Sequence, residues 1–161
     1  MKKTFSFFLA IIAALLVVSC KSAPVAAEPE ANPDADLQFT SAYETVMPII
    51  FDNAQNYTVK WGDTLIKIAR KAYGQEHVFL FPLIMAASKE KKTVDIVDPD
   101  LIKPGMELVI PDLALNLDNA EITARIKALL ESVSTIYDEK PSDIKWSHEV
   151  RDGLIATAET L

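Results

Sequence analysis

The chain has 161 residues, half of them hydrophobic, with 16 Lys and Arg against 23 Asp and Glu, a length suited to one domain with an appendage. From Cys20 onward there are 14 basic and 23 acidic groups, a net of −9, which excludes the clustered basic surface that nucleic-acid backbones require. One cysteine excludes an internal disulfide framework and a multi-thiolate metal site, and two histidines (His77, His148) leave little for metal or acid–base chemistry, so composition disfavours an enzyme and no cofactor is expected.

Met1-Lys2-Lys3 is a short positive start, followed by an apolar run from Phe5 to Val18 broken only by Ser6. At about 1.5 Å per residue this run spans roughly 21 Å, short of the ~30 Å hydrocarbon core of a bilayer. The pattern predicts a secretory signal over residues 1–19 rather than a permanent span. Val17-Val18-Ser19-Cys20 then resembles the lipobox of bacterial lipoproteins. That resemblance implies a diacylglyceryl group on the Cys20 sulfur, cleavage before it and acylation of the new N-terminus. The alternative is an ordinary signal peptide with a chance cysteine near its end. Two or three acyl chains hold a protein firmly where one does not, since each buried CH₂ adds about 0.8 kcal/mol. Lys21 rather than Asp follows the cysteine. By the enterobacterial sorting rule this implies the periplasmic face of the outer membrane more than the inner membrane.

Residues 20–56 form the next unit. From Lys21 to Asp36 the chain carries Pro24, Pro29 and Pro33 among alanines and acids, with no aromatic residue and no apolar period. Such a composition cannot bury enough surface to offset its ordering entropy, so an extended tether is expected. Its end, Val46-Met47-Pro48-Ile49-Ile50-Phe51, is too apolar for a free linker and too proline-broken for a helix. An extended piece packed on the following domain is expected.

Tyr57-Thr58-Val59-Lys60 reads as a strand, and Trp61-Gly62-Asp63 as a turn in which Asp63 or Thr64 can cap a helix. Leu65, Ile68, Ala69 and Ala72 recur at helical spacing and predict one buried face, ended by Gly74 in a left-handed C′ position. A second helix starts near Phe81-Pro82 and buries Phe81, Ile84 and Ala87. Pro104-Gly105 fits the centre of a type II turn, and Leu108 and Ile110 alternate on a closing strand that Pro111 terminates. The order is strand, helix, helix, strand.

Two separated motifs carry a further resemblance. Tyr57-Thr58-Val59-Lys60-Trp61-Gly62-Asp63-Thr64-Leu65 with Ile68-Ala69 and Tyr73-Gly74 is similar to the first half of a LysM domain. The stretch from Asp98-Pro99-Asp100-Leu101-Ile102 through Pro104-Gly105 to Ile110-Pro111 is similar to its second half. The resemblance covers 57–112 and implies an α+β chain: a small βααβ module that binds N-acetylglucosamine-containing glycans. With a bacterial export signal, the implied partner is peptidoglycan. Carried over residue by residue, one groove wall is Gly62, Asp63, Thr64 and Leu65, and the other is Pro99, Asp100, Leu101 and Ile102. Ser88 stands where the family often has Asn, and the interval before Asp98 is longer than usual, which reshapes one wall.

The chemistry suits a neutral amino sugar. Main-chain N–H and C=O groups of two loops can pair with acetamido groups, and Leu65 and Ile102 can meet their methyls. Residues 57–112 hold eight basic and eight acidic groups, so no charge bias points elsewhere. Each residue also has a purely structural reading: turns for Gly62 and Gly105, capping for Asp63 and Thr64, core for Leu65 and Ile102. An exposed indole at Trp61 would stack on a sugar ring. The plainer expectation is a Trp half-buried against the module's own surface.

Residues 113–161 predict a helical hairpin. Ile122, Ile126, Leu129, Leu130, Val133 and Ile136 form one stripe, Asp138-Glu139-Lys140-Pro141-Ser142 breaks it, and Ile144, Val150, Leu154 and Ala158 form a second. So short a hairpin must pack on the module or on another chain. Tyr137 and Trp146 are read as core-edge residues, or as anchors for a protein partner through these helices. A wall hydrolase is disfavoured: the only cysteine is in the lipobox, and the carboxylates sit on solvated helix faces.

Overall fold

The computed structural model describes residues 49–141 and 145–161. The expected export segment, Cys20, the expected tether up to residue 48 and Ile144 lie outside the described residues. The elements are β1 (Gln55–Thr58), α1 (Leu65–Tyr73), a 3₁₀ helix (Gln75–Leu80), α2 (Phe81–Glu90), β2 (Glu107–Ile110), α3 (Leu113–Leu117), α4 (Ala120–Asp138) and α5 (Lys145–Thr160). The α+β class is as expected: a two-stranded sheet with helices, followed by C-terminal helices. None of the described helices is long and apolar enough to cross a membrane.

β1 and β2 pair antiparallel, Gln55 opposite Ile110 and Thr58 opposite Glu107. The strand starts two residues earlier than expected, and Val59 leaves it through a bulge. The Gly105 N–H donates to the Val59 carbonyl at 2.9 Å, and the Val59 N–H donates to the Met106 carbonyl at 2.9 Å, so two residues face one. The same Gly105 has φ +92°, and the Met106 N–H reaches back to the Lys103 carbonyl at 3.1 Å. Pro104-Gly105 is thus the centre of the expected type II turn, where positive φ requires glycine.

α1 is capped by Thr64, whose side-chain oxygen accepts the Lys67 N–H. Asp63 instead closes the preceding turn. Leu65, Ile68 and Ala69 are buried, but Ala72 is exposed, contrary to the expected stripe. The helix is only two and a half turns long, and Tyr73 takes the inward place in its last turn. Gly74 has positive φ as expected, yet its ψ of 170° is extended rather than left-handed helical. The chain therefore passes straight into the 3₁₀ helix, an element with no clear apolar period in the sequence.

α2 begins at Phe81-Pro82 as expected and is buried on every side from Phe81 to Ser88. It packs between β2 and α4. Full burial of an aliphatic side chain such as Leu83 or Ile84 stabilises by roughly 1.5–3 kcal/mol. β2 does not alternate as expected: Leu108, Val109 and Ile110 are all buried, because α2 covers the strand beyond its open edge. Ser88 explains how that edge is tolerated. Its hydroxyl donates to the Ile84 carbonyl at 2.7 Å and accepts the Val109 N–H at 2.9 Å, so it takes the place of a third strand.

Ile49 is buried, and Ile50 and Phe51 pack on the core, the packing expected for this apolar stretch. Buried Asn116 holds them: it accepts the Ile50 N–H and returns an N–H to the Ile50 carbonyl, both at 3.0 Å. α4 and α5 form the expected antiparallel hairpin, with the first stripe buried throughout and Val150, Leu154 and Ala158 buried in the second. The hairpin docks on the module through Gly153, against which the Phe79 ring lies so closely that a Cβ would overlap it.

Candidate functional site

The turn between β1 and α1 is held from inside. Asp63 Oδ2 accepts the Tyr57 hydroxyl and the Lys60 N–H, both at 2.8 Å. The Lys60 N–H and then the Tyr57 hydroxyl hold the Asp63 carboxyl below its ordinary value. Beyond it, the amides of Leu65 and Ile66 open α1 and have no partner within the helix.

The opposing loop is equally fixed. Asp98 Oδ1 accepts the Asp100 N–H at 2.9 Å, and the Asp98 carbonyl accepts the Leu101 N–H at 3.0 Å. The longer interval before Asp98 anchors itself away from the groove: Ile96 is buried in the core and Lys89 pairs with Asp95 at 3.1 Å.

These two loops meet across a cleft of about 310 Å³ lined by Asp63, Thr64, Leu65, Ile66, Pro99, Asp100, Ile102, Tyr137 and Trp146. Six of the nine expected groove residues therefore line one cavity. Gly62 and Leu101 do not line it; the Gly62 carbonyl is taken by Lys67 Nζ at 2.8 Å. Trp61 does not line it either. It is 92 % exposed, not half-buried as expected.

Sequence reasoning missed Ile66, Tyr137 and Trp146. Ile66 lies off the stripe of α1 yet follows directly from the position of Leu65 at the helix start. The two aromatic residues come from the hairpin, and no local pattern ties them to loops 35 or more residues away. Tyr137 is buried and its hydroxyl donates to Asp100 Oδ1 at 3.2 Å. Trp146 is 47 % exposed and meets Tyr137 edge-to-face, ring centres 6.2 Å apart.

Lys140 fastens this side. Its ammonium pairs with Asp98 at 3.1 Å and with Asp100, and lies over the rings of Tyr137 and Trp146. Burial nevertheless raises the Asp100 carboxyl above its ordinary value, with Lys140 opposing the shift. Burial also raises the Tyr137 phenol, which stays a neutral donor. His148 is half-buried on α5, and among the described residues no His, Cys, Asp or Glu cluster is placed to hold a metal ion.

A second cavity of about 530 Å³ lies beyond the other end of α1, lined by Lys71, Tyr73, His77, Asp112 and their neighbours. None of the expected groove residues lines it.

In a comparison with protein families, the LysM domain matches residues 57–74, which cover β1 in part, the turn, α1 and Gly74. Comparison with curated proteins and with solved structures returns no match. The chain thus contains a LysM segment, a binding rather than a catalytic module, which suggests glycan or peptidoglycan binding in general.

Proposed function

We propose that this chain is a lipid-anchored protein of a bacterial envelope whose LysM module holds the N-acetylglucosamine-containing strands of peptidoglycan without chemistry. The observation that carries the reading is the meeting of Asp63, Thr64 and Leu65 with Pro99, Asp100 and Ile102 across one cleft. Apolar side chains at its floor suit the CH faces and methyls of an acetylated sugar. The amides of Leu65 and Ile66, the Thr64 hydroxyl and the carboxylates offer donors and acceptors to its polar edge. The anchor is read from Val17-Val18-Ser19-Cys20, with acyl chains on Cys20. Tethering near the wall raises the effective concentration of the glycan and makes weak single contacts sufficient.

Co-sedimentation with purified murein sacculi tests the binding. The wild-type protein is expected in the pellet, while Ile66→Glu and Ile102→Glu, each placing a charge in the apolar floor, remain in the supernatant with unchanged circular dichroism. Wild-type protein left in the supernatant refutes glycan binding. Cys20→Ser is expected to move the protein from the membrane fraction to the soluble one and to abolish labelling by a palmitate analogue.

A second reading, an envelope scaffold that recruits a protein partner and holds no glycan, draws on the hairpin residues that occupy one side of the cleft. Failure of the sedimentation test with a retained membrane anchor favours it.

A further inference from the structure

The cleft has a third wall that the two loops do not supply. Trp146 opens α5, lines the cavity, and keeps nearly half its surface exposed there, although most large apolar side chains of the hairpin are buried. Its ring has neighbours on one side: it meets the buried Tyr137 edge-to-face, and Lys140 sits over both. Tyr137 and Lys140 in turn bind Asp100, a residue of the second wall. One side of the indole is therefore fixed by a network that also fixes the loop opposite α1.

An oriented, half-exposed aromatic ring beside carboxylates and a hydroxyl is suited to a ligand with one apolar face and a polar edge. A pyranose has both. Anionic ligands are disfavoured by Asp63 and Asp100 on the rim, and the Lys140 charge is already met by Asp98 and Asp100. The volume lies at the small end of ligand cavities, about 300–1,000 Å³, which fits a single saccharide unit with its acetamido group rather than an extended chain.

We propose that the C-terminal hairpin is part of the sugar site, and that Trp146 is the platform on which one N-acetylglucosamine ring stacks between the two loops. The proposal rests on the glycan-binding reading above and adds a residue from outside the module to it. In this arrangement the hairpin is an arm of the binding site, and ligand occupancy couples to hairpin docking.

Titration of the purified protein with β-1,4-linked N-acetylglucosamine oligomers tests it. Trp146→Ala is expected to weaken binding about tenfold, or about 1.4 kcal/mol, while Trp146→Phe keeps affinity within about threefold and Trp61→Ala within about twofold. Circular dichroism melts establish that each variant is folded. A second arm leaves the platform intact: the chain has two tryptophans, so Trp61→Phe makes Trp146 the sole indole emitter. Saturating oligomer is then expected to shift its emission to the blue and protect it from acrylamide quenching. Wild-type binding with an unaltered affinity in Trp146→Ala, or with no change in Trp146 emission, overturns the platform and leaves the two-loop groove standing. Absence of binding to both oligomers and sacculi overturns the platform and the glycan reading together.

Discussion

Gly153→Ala sets two known effects against each other. Within a helix, alanine is favoured over glycine by about 1 kcal/mol, and Gly153 lies in the interior of α5, so propensity alone predicts stabilisation. The new methyl, however, is built directly into the Phe79 ring. Phe79 sits on the 3₁₀ helix between buried Val78 and Leu80, is half-buried and packs on the core, so the ring must shift out of that packing to make room. Overpacking of this kind costs about 1–3 kcal/mol, and an approach close enough for a Cβ to overlap the ring belongs at the upper end. The net expectation is destabilisation by about 1–2 kcal/mol. For a body of about 110 residues that corresponds to a melting temperature lowered by roughly 4–8 °C. Thermal and urea unfolding followed by circular dichroism measure it. Phe79→Leu combined with Gly153→Ala should recover part of the loss, giving a coupling energy of opposite sign to the single effects. A Gly153→Ala protein as stable as wild type or more so refutes the close approach, and with it the docking that brings α5 to the cleft.

Ser88→Ala leaves the buried Val109 N–H without its acceptor and is expected to cost about 2 kcal/mol in urea unfolding. Lys140→Met removes the cation between two partly buried carboxylates and should cost about 2 kcal/mol at neutral pH, read from unfolding midpoints. Because burial already raises the Asp100 carboxyl, that deficit should shrink as the pH falls and Asp100 takes up its proton. Asp63 has the opposite sign: its folded value is depressed, so its contribution is present above the ordinary carboxylate value and is lost as the pH falls through the lower folded one. Asp63→Asn should therefore flatten the acid limb of the stability profile while changing stability at pH 7 little, since an amide oxygen can accept the same two bonds. Tyr73→Phe removes a buried hydroxyl that makes no hydrogen bond to the described residues, and is expected to change unfolding free energy by less than about 1 kcal/mol.

Much of the module was legible in the chain because its signals are local. Pro104-Gly105 dictates a type II turn whatever surrounds it, since proline fixes one φ and glycine admits the next. Thr64 before Leu65, and Phe81-Pro82 at the start of α2, mark helix starts by the same short-range logic. The stripe from Ile122 to Ile136 states that one face of α4 is buried, and all six residues are. The resemblance to a LysM groove named two loops, and six of its nine candidate residues line one cleft.

What periodicity could not state is which surface covers a buried face. The burial of Val109 depends on α2 lying across the edge of β2, and the reach of Ser88 to that edge spans 21 residues. Ala72 matches the helical period but is exposed, because Tyr73 occupies the inward position at the end of α1. Gly153 reads as a weak point in a helix until Phe79 is placed against it. Trp146 joins the groove only because the hairpin docks there, with Lys140 and Tyr137 gripping Asp100 from 40 and 37 residues away. Turns, caps and amphipathic stripes follow from neighbouring residues and were determined by the sequence alone. The third wall of the cleft is a product of long-range packing, and only the tertiary structure decided it.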